Sequence, residues 1–277
     1  MLRERVAREF PHVRLCEPAP VDDAVLGLAH DAQYIARMVS GDLSRKEITA
    51  LGFPWSLEMV ERSRRSVGAT VMACEHALVE RVSVNLAGGT HHAHADRGEG
   101  YCCFNDAVVA IRVLQRDGRI ARAAVVDLDV HQGNGTATMT QNDPSVFTLS
   151  LHGATNFPFR KARSSLDVEL ADGATDAEYL ACLEAALREL DARFSPQLLI
   201  YLAGADPFED DRLGRLALTK AGLRARDERV FAFARARELP VAVAMAGGYA
   251  RTIEDTVEIQ LATVSCALQY WSEARGS

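Results

Sequence analysis

Short apolar runs alternate along the chain with longer stretches in which apolar residues recur at helical spacing. Five runs are predicted to be strands, at residues 82–86, 123–126, 146–151, 198–202 and 241–245, and the wholly apolar run at 123–126 has the composition of a strand buried on both faces. Helices are predicted between and after these runs, at residues 105–116, 136–139, 176–190, 219–238 and 252–271. This alternation predicts an α/β fold of three layers, a mainly parallel β-sheet with helices on both faces.

The chain before the first of these runs is predicted to be mostly helical. Amphipathic patterns predict helices at 1–10, 22–40 and 56–80, and a short strand is predicted at His12–Cys16. The small and charged residues of 160–175 predict a surface excursion. Because no repeat, low-complexity tract or linker interrupts the pattern, we expect a single domain.

The run at 123–126 leads directly into a cluster of ionisable residues. Asp127, Asp129 and His131 follow at a spacing of two, which on an extended chain points their side chains the same way. Two carboxylates and an imidazole at the end of a buried strand are costly unless a cation lies among them. For these residues alone, the alternative is a pair of loop caps and a surface histidine.

Other strand ends carry polar residues of the same kind. His91 and His92 follow the first run, Asp206 follows the fourth, and the segment Gly247-Gly248-Tyr249 follows the last. Ligands of open parallel sheets bind beyond the carboxyl ends of the strands. We therefore expect these residues to meet the cluster at 127–131, and this convergence predicts an enzyme.

The residue types at these strand ends fit metal-assisted catalysis. Three protein ligands with an open position describe a catalytic zinc site, and iron(II) also suits two carboxylates with one imidazole. The candidate ligands are Asp129, His131 and Asp206. His91 and His92 are candidates for proton transfer, and Tyr249 could direct its hydroxyl towards an oxyanion. Taken singly, Asp206 could be part of a turn and Tyr249 an ordinary aromatic residue after glycines.

The composition limits the cellular compartments and the binding partners that we expect for this chain. Apolar residues make up 48% of the 277 residues, yet no run is long enough to span a bilayer, and the N-terminus lacks an apolar signal core. The six cysteines follow no disulfide or zinc-finger spacing, which favours a reducing cytoplasm. The net charge of −7 argues against nucleic acid as a direct partner but leaves a basic peptide substrate open.

Together, these motifs resemble those of the histone deacetylase superfamily, which has the arginase/deacetylase fold. In the family's order, the motifs are Gly88-Gly89-Thr90-His91-His92-Ala93, Gly100-Tyr101-Cys102-Cys103-Phe104-Asn105-Asp106, Asp127-Leu128-Asp129-Val130-His131, Gly204-Ala205-Asp206-Pro207 and Gly247-Gly248-Tyr249. Asn134, the run at 209–214 and the compact length are similar to the class IV branch and its bacterial relatives.

The resemblance implies a role for each residue of the cluster. The three candidate ligands would bind zinc, and His92 would be the general base and acid. His91 would be its electrostatic partner, oriented by Asp127, and Tyr249 would stabilise the tetrahedral oxyanion. Asn134 stands where class I members carry an aspartate, so His92 is expected to lack a charged partner.

The resemblance also implies a tunnel for an acyl-lysine side chain and a structural potassium ion. The expected tunnel residues are Gly100, Tyr101, Phe157, Leu213, Gly247 and Gly248. The expected potassium ligands are Asp127, Asp129, His131, Ser150 and Leu151. Tyr101 replaces the phenylalanine that is usual in this tunnel, which adds a hydroxyl that needs a partner or water.

The expected reaction is hydrolysis, by metal-activated water, of an acetyl or fatty-acyl amide on a lysine of a peptide or protein. The alternatives are a deacetylase of acetylpolyamines or other small acylated amines, and a non-catalytic binder of acyl-lysine. Relatives that act on polyamines tend to carry an acidic residue near the position of Leu213, so the leucine favours neutral acyl-lysine.

Superfamily members generally begin with a further strand and a pocket-lining loop, which residues 1–277 are expected to lack. The sheet edge near His12–Cys16 would then be protected by a rearranged strand, by a covering helix from residues 1–10, or by self-association. The tunnel mouth would be wider and would accept bulky acyl groups better than acetyl.

Overall fold

One β-sheet lies at the centre of the computed structural model, which describes residues 1–275. Its strands are β1 (Val82–Asn85), β2 (Ala123–Asp127), β3 (Val146–Gly153), β4 (Leu166–Leu170), β5 (Leu198–Leu202) and β6 (Val241–Ala244). Their order across the sheet is β1-β6-β5-β2-β3-β4, and all neighbouring pairs are parallel. The predicted α/β class is therefore confirmed.

Helices surround the sheet. They are α1 (Leu2–Glu9), α2 (Asp23–Leu26), α3 (Ala32–Ser40), α4 (Arg45–Leu51), α5 (Leu57–Glu80), α6 (Asp106–Arg116), α7 (Asn134–Thr140), α8 (Asp176–Arg193), α9 (Lys220–Ala236) and α10 (Ile253–Arg275). The Asn105 side chain accepts a hydrogen bond from the N–H of Val108 and begins α6 as predicted. Over the described residues, no helix combines the length and apolarity needed to cross a membrane.

The central strand β2 is buried on both faces, which accounts for its apolar sequence. Successive side chains point to opposite layers. Val125 belongs to the apolar cluster formed with α5 and α6, whereas Val126 belongs to the cluster formed with α8 and α9. Burial of each such side chain contributes roughly 1.5–3 kcal/mol. The strand whose carboxyl end carries Asp127 is thereby held firmly between β3 and β5.

The strand predicted at His12–Cys16 is wrong, because this segment contains only a turn and irregular backbone. Its alternating pattern places Leu15 in an apolar cluster with Leu86 instead of pairing it with a strand. The same cluster joins Val6 of α1 to Leu261 of α10, next to the edge strand β1. Helix α1 therefore packs against α10 near this edge, while the expected covering of the edge by this helix stays a prediction. Self-association stays a prediction.

Three further differences lie at the edges of elements. The helix predicted at 22–40 is divided into α2 and α3, because Asp31 caps the second helix. The predicted surface excursion at 160–175 contains β4, whose Leu166 pairs in register with β3. Charged residues on this strand are compatible with an edge position. The helix α4 is not among the predicted helices, because this short element, capped by Ser44, has too few residues to show a clear helical period in its apolar positions.

Candidate active site

The adjacent ends of β2 and β5 bring the predicted metal ligands together. Asp129, His131 and Asp206 each offer a ligand atom, and within the described part of the chain these atoms lie within 4.8 Å of one another. His131 Nδ1 is 2.9 Å from Asp129 Oδ1 and 3.3 Å from Asp206 Oδ2. Residues far apart in sequence thus meet because their strands are neighbours in the sheet.

The surroundings of these ligands fit a divalent cation. Asp206 is fully buried, and its Oδ2 makes no hydrogen bond of acceptable geometry. Burial and then the negative charge of Asp129 raise the pKa of Asp206 to about 7, a repulsion that a bound cation would remove. Gly247 leaves space here, since a Cβ would lie 2.2 Å from Asp206 Oδ2. Two carboxylates and an imidazole suit zinc or iron(II).

His91 is one member of a buried ion pair. Its Nδ1 lies 2.7 Å from Asp127 Oδ2, and both side chains are 4% exposed. Burial alone would lower the pKa of His91, but the charges of Asp127 and Asp129 outweigh it and raise this pKa to about 9. The Asp127 side chain at the end of β2 thus orients the His91 ring and favours its protonated form.

His92 lies beside His91 in surroundings that favour the neutral imidazole. The two ring centroids are 4.1 Å apart, and His92 Nδ1 lies 2.7 Å from Asn134 Oδ1. Burial and then the positive charge of His91 lower the pKa of His92 well below its usual value. Two adjacent histidines in different protonation states can serve as a fixed charge and as a proton acceptor.

Asp106 holds the loop that carries both histidines. One of its carboxylate oxygens accepts from the N–H of Gly89 at 2.8 Å and from the hydroxyl of Thr70 at 2.6 Å. The other accepts from the N–H of Thr90 at 2.8 Å. The sequence places Asp106 in a motif without giving it a role. An aspartate in the first turn of a predicted helix is the one sequence feature that points to a role in binding backbone N–H groups.

Tyr249 follows β6 and lines the same pocket as the metal ligands. Asp211 fixes its backbone, because Asp211 Oδ2 accepts from the N–H of Tyr249 at 2.6 Å and Oδ1 accepts from the N–H of Leu213 at 2.7 Å. Burial and then the Tyr101 hydroxyl raise the pKa of Tyr249, so its hydroxyl stays protonated and can donate. Sequence reasoning missed Asp211, since no spacing ties it to a tyrosine in another loop.

A pocket of about 440 Å³ leads from the surface to these residues. Among the predicted tunnel residues, it is lined by Gly100, Tyr101, Phe157, Leu213 and Gly247. Gly248 is outside the lining, and a Cβ there would meet Ala205 and Thr256. The lining also includes residues that the sequence did not indicate, namely Ala50, Gly52, Thr155, Asn156, Phe159 and Arg215.

An aromatic ring and a glycine shape the pocket wall around His92, and aromatic side chains lie exposed further out. The ring of Phe157 meets the ring of His92 edge-on, with centroids 4.9 Å apart. Gly100 has a φ of +56°, and a Cβ there would lie 2.6 Å from His92 Cδ2, so the wall requires glycine. At the rim, Tyr101 is 50% exposed and Phe159 is 86% exposed.

Three of the five predicted potassium ligands, Asp127, Ser150 and Leu151, lie where β2 meets β3. Asp127 is opposite Ser150 in the register of the two strands, and Leu151 follows in β3. All three residues are buried, and Ser150 Oγ lies 2.9 Å from His152 Nδ1. The potassium site stays a prediction.

The histone deacetylase domain family matches the chain over residues 1–264. An uncharacterised protein from Picosynechococcus sp. is 42% identical over 241 residues, which cover 87% of this chain and 80% of that protein. Histone deacetylase 2 from Arabidopsis thaliana is 39% identical over 202 residues, 70% of this chain and 52% of that protein. The chain thus spans about half the length of the Arabidopsis relative.

Solved structures show the same architecture. The crystal structure of an HDAC homolog complexed with SAHA has a TM-score of 0.82 and 25% identity, covering 99% of this chain and 77% of that chain. Acetylpolyamine aminohydrolase from Burkholderia pseudomallei has a TM-score of 0.75 and 21% identity, covering 96% and 88% respectively. The second likeness is one of fold alone.

A parallel sheet with an aspartate–histidine–aspartate cluster at its carboxyl edge defines a protein of the arginase/deacetylase fold. Within that class, the chain belongs to the histone deacetylase family, as its motifs predict. Membership of this family supports a deacetylase hydrolase.

Proposed function

We propose that this chain is a zinc-dependent deacylase that hydrolyses the amide of an acylated lysine side chain. One observation carries the proposal: the cluster of Asp129, His131 and Asp206 opens into the same pocket as His91, His92 and Tyr249. That arrangement places metal ligands, a proton acceptor and a hydrogen-bond donor around one space. The match to the histone deacetylase family supports the same reaction class.

In this proposal Asp129, His131 and Asp206 hold the metal. Bound there, zinc would polarise an amide carbonyl and lower the pKa of water to about 7. Iron(II) is the second candidate for the same ligands. The Oδ2 of buried Asp206, which makes no hydrogen bond of acceptable geometry, supports a cation at this position.

The side chains around the metal site handle the proton and the developing negative charge. The Nε2 atom of neutral His92 accepts a proton from water, and His92 then gives this proton to the departing lysine nitrogen. His91, kept protonated by Asp127, stabilises negative charge beside it. The Tyr249 hydroxyl donates a hydrogen bond to the carbonyl oxygen as that oxygen becomes negative.

The pocket favours acyl-lysine over an acetylated polyamine. Apart from Asp129 and Asp206 at the base, no carboxylate lines it in the part of the chain that the structure describes. Leu213 and the cationic Arg215 line the pocket as well. A polyamine carries further positive charges that no carboxylate of the outer lining would attract, because Arg215 is itself paired with Asp172, whereas a lysine amide is neutral. The fold shared with an acetylpolyamine aminohydrolase keeps a small acylated amine as the second candidate.

The proposal extends to features around the reaction. We place a structural potassium ion at the residues where β2 meets β3, and we assign the chain to a class IV-like bacterial branch. All six cysteines are free, which favours a reducing cytoplasm.

Turnover of a fluorogenic acyl-lysine peptide tests the proposed function. Protein treated with a chelator should lose activity and regain it with about one equivalent of zinc per chain. An acetylated polyamine, assayed at the same concentration, should be a poorer substrate. Binding of acyl-lysine without turnover by the zinc-loaded protein would identify a non-catalytic binder and contradict the proposal.

A further inference from the structure

A row of polar side chains extends from His92 away from the pocket. His92 Nδ1 lies 2.7 Å from Asn134 Oδ1, and Asn134 Nδ2 lies 2.5 Å from Glu99 Oε1. His94 Nε2 lies 3.2 Å from the same oxygen of Glu99, and His94 Nδ1 lies 2.7 Å from Thr138 Oγ1. Asn134 and His94 are buried, whereas the Glu99 side chain is 21% exposed. His92 is thus connected to a carboxylate through one intervening amide.

The chemistry of Glu99 sets the direction of these hydrogen bonds. The hydrogen bond with His94 lowers the pKa of Glu99 and outweighs its burial, so Glu99 is ionised at neutral pH. A carboxylate can only accept, so Asn134 turns its NH2 group towards Glu99 and its Oδ1 towards His92. Oδ1 also can only accept, so the neutral His92 carries its proton on Nδ1. Its Nε2 is then the nitrogen that can accept a proton.

We infer that Glu99 is a positioning residue that selects the tautomer of His92 through the amide of Asn134. The inference rests on the proposed role of His92 as the base. Without a carboxylate at position 99, the Asn134 amide could turn by half a rotation and donate its NH2 to Nδ1. The proton of neutral His92 would then lie on Nε2, where the ring cannot act as a base.

The same geometry couples residues 99 and 134. An aspartate at 134 would place a second carboxylate against Glu99, at a contact that is now 2.5 Å, and like charges at that distance repel. A glutamine at 99 can instead donate its NH2 group to the new carboxylate. Aspartate accepts from His92 Nδ1 whichever way it is turned, so the double substitution should restore the tautomer.

Steady-state kinetics on three variants tests this coupling. We expect Glu99→Gln to lower kcat about tenfold to a hundredfold with little change in KM, as loss of outer hydrogen-bond partners does. Asn134→Asp should also lower kcat, and Glu99→Gln/Asn134→Asp should be more active than either single variant. Asp96→Asn is the control, because Asp96 lies in the same loop, pairs with Arg97 and has a 69% exposed side chain. A double variant no better than the poorer single one would overturn the inference.

Nitrogen-15 NMR of histidine-labelled, zinc-loaded protein reads the tautomer directly. With the His92 signals assigned through His92→Ala, we expect Nδ1 to be protonated in the wild type and the Nε2-protonated form to appear in Glu99→Gln. A wild-type His92 protonated on Nε2, or an unchanged tautomer in the variant, would contradict the inference. This readout needs no substrate. It is therefore distinct from failure of the proposed function, in which the wild type would turn over no acyl-lysine peptide.

Discussion

At the scale of single residues, the adjacent histidines His91 and His92 differ in their pKa because different side chains lie behind them. His91 faces the carboxylate of Asp127, and His92 faces the amide of Asn134. The charges of Asp127 and Asp129 outweigh burial and raise the pKa of His91 to about 9, whereas burial lowers the pKa of His92. The surroundings thus favour a charged imidazole at His91 and a neutral one at His92, which gives the proposed reaction a fixed charge and a base.

Tyr249→Phe should lower kcat by roughly one to three decades, as removal of an oxyanion donor does. The hydroxyl acts mainly on the transition state, so KM should change less than kcat. Steady-state kinetics with an acyl-lysine peptide measures both constants, while metal content and circular dichroism should match the wild type. An unchanged kcat would remove Tyr249 from the mechanism.

Asp206→Ala should abolish stoichiometric metal binding, because it removes one of three ligands. Metal analysis of purified protein should find about one equivalent in the wild type and well below that in the variant. Asp210→Asn is a matched control, since Asp210 is near in sequence but has a 62% exposed side chain. Full metal retention in Asp206→Ala would show that the ligand assignment is wrong.

The metal cluster could be predicted because each ligand follows a recognisable strand at a fixed place. The positioning residues could not. Asp106, Asp211 and Glu99 act on backbone or side-chain groups of other loops, and their partners are set by the fold rather than by spacing. The sequence predicts that His92 lacks a charged partner, because residue 134 is asparagine. In the structure the carboxylate of Glu99 lies behind Asn134 and is connected to His92 through the Asn134 amide.

At the scale of elements, strands buried on both faces were the easiest to predict. β2 and β5 have apolar residues at almost every position, and no helix needs that pattern over so short a length. The strand β4 and the segment His12–Cys16 show the converse. Pairing at a sheet edge depends on a neighbour in space, which neither the charges of β4 nor the alternation of 12–16 reveals.

His30 joins two elements and should make the fold sensitive to acid. Its Nε2 accepts the N–H of Asn105 at 2.9 Å, just before α6. Burial lowers the pKa of His30 to about 4, below the value of roughly 6.5 that an unfolded histidine has. Between these values the unfolded chain binds more protons, so this contribution to stability is complete above about pH 6.5 and is lost as the pH falls towards 4.

His30→Gln should weaken that dependence, because the glutamine carbonyl can accept the same N–H without titrating. Between pH 7 and pH 5, the free energy of unfolding should fall by roughly 2 kcal/mol less in the variant than in the wild type. Urea denaturation at several pH values measures this difference. His12→Gln, which replaces an exposed histidine, should behave as the wild type. Parallel pH curves for His30→Gln and the wild type would contradict the assignment.

At the scale of the whole molecule, the pocket mouth is assembled from segments that are remote in sequence. The end of α4 contributes Ala50 and Gly52, the stretch after β3 contributes Phe157 and Phe159, and Leu213 follows β5. Hydrogen bonds from the N–H groups of Gly100 and Tyr101 to α4 carbonyls fix one side of this mouth. The exposed apolar side chains of Tyr101, Phe159 and Leu213 offer a surface that a long acyl chain or a peptide could cover.

Leu213→Glu should shift the substrate preference, because it adds a negative charge at an apolar rim position that is 42% exposed. Relative kcat/KM for an acetylated polyamine over an acyl-lysine peptide should rise, by at most roughly fivefold for an exposed charge pair. Leu213→Met keeps this position apolar and should leave the ratio unchanged, and a higher polyamine ratio in this variant would mean that charge is not the cause.

In the wild type, a series of peptides from acetyl to myristoyl should show higher kcat/KM for the longer chains, since these can cover the exposed rim. A strong wild-type preference for acetyl would mean that the rim does not bind the acyl chain.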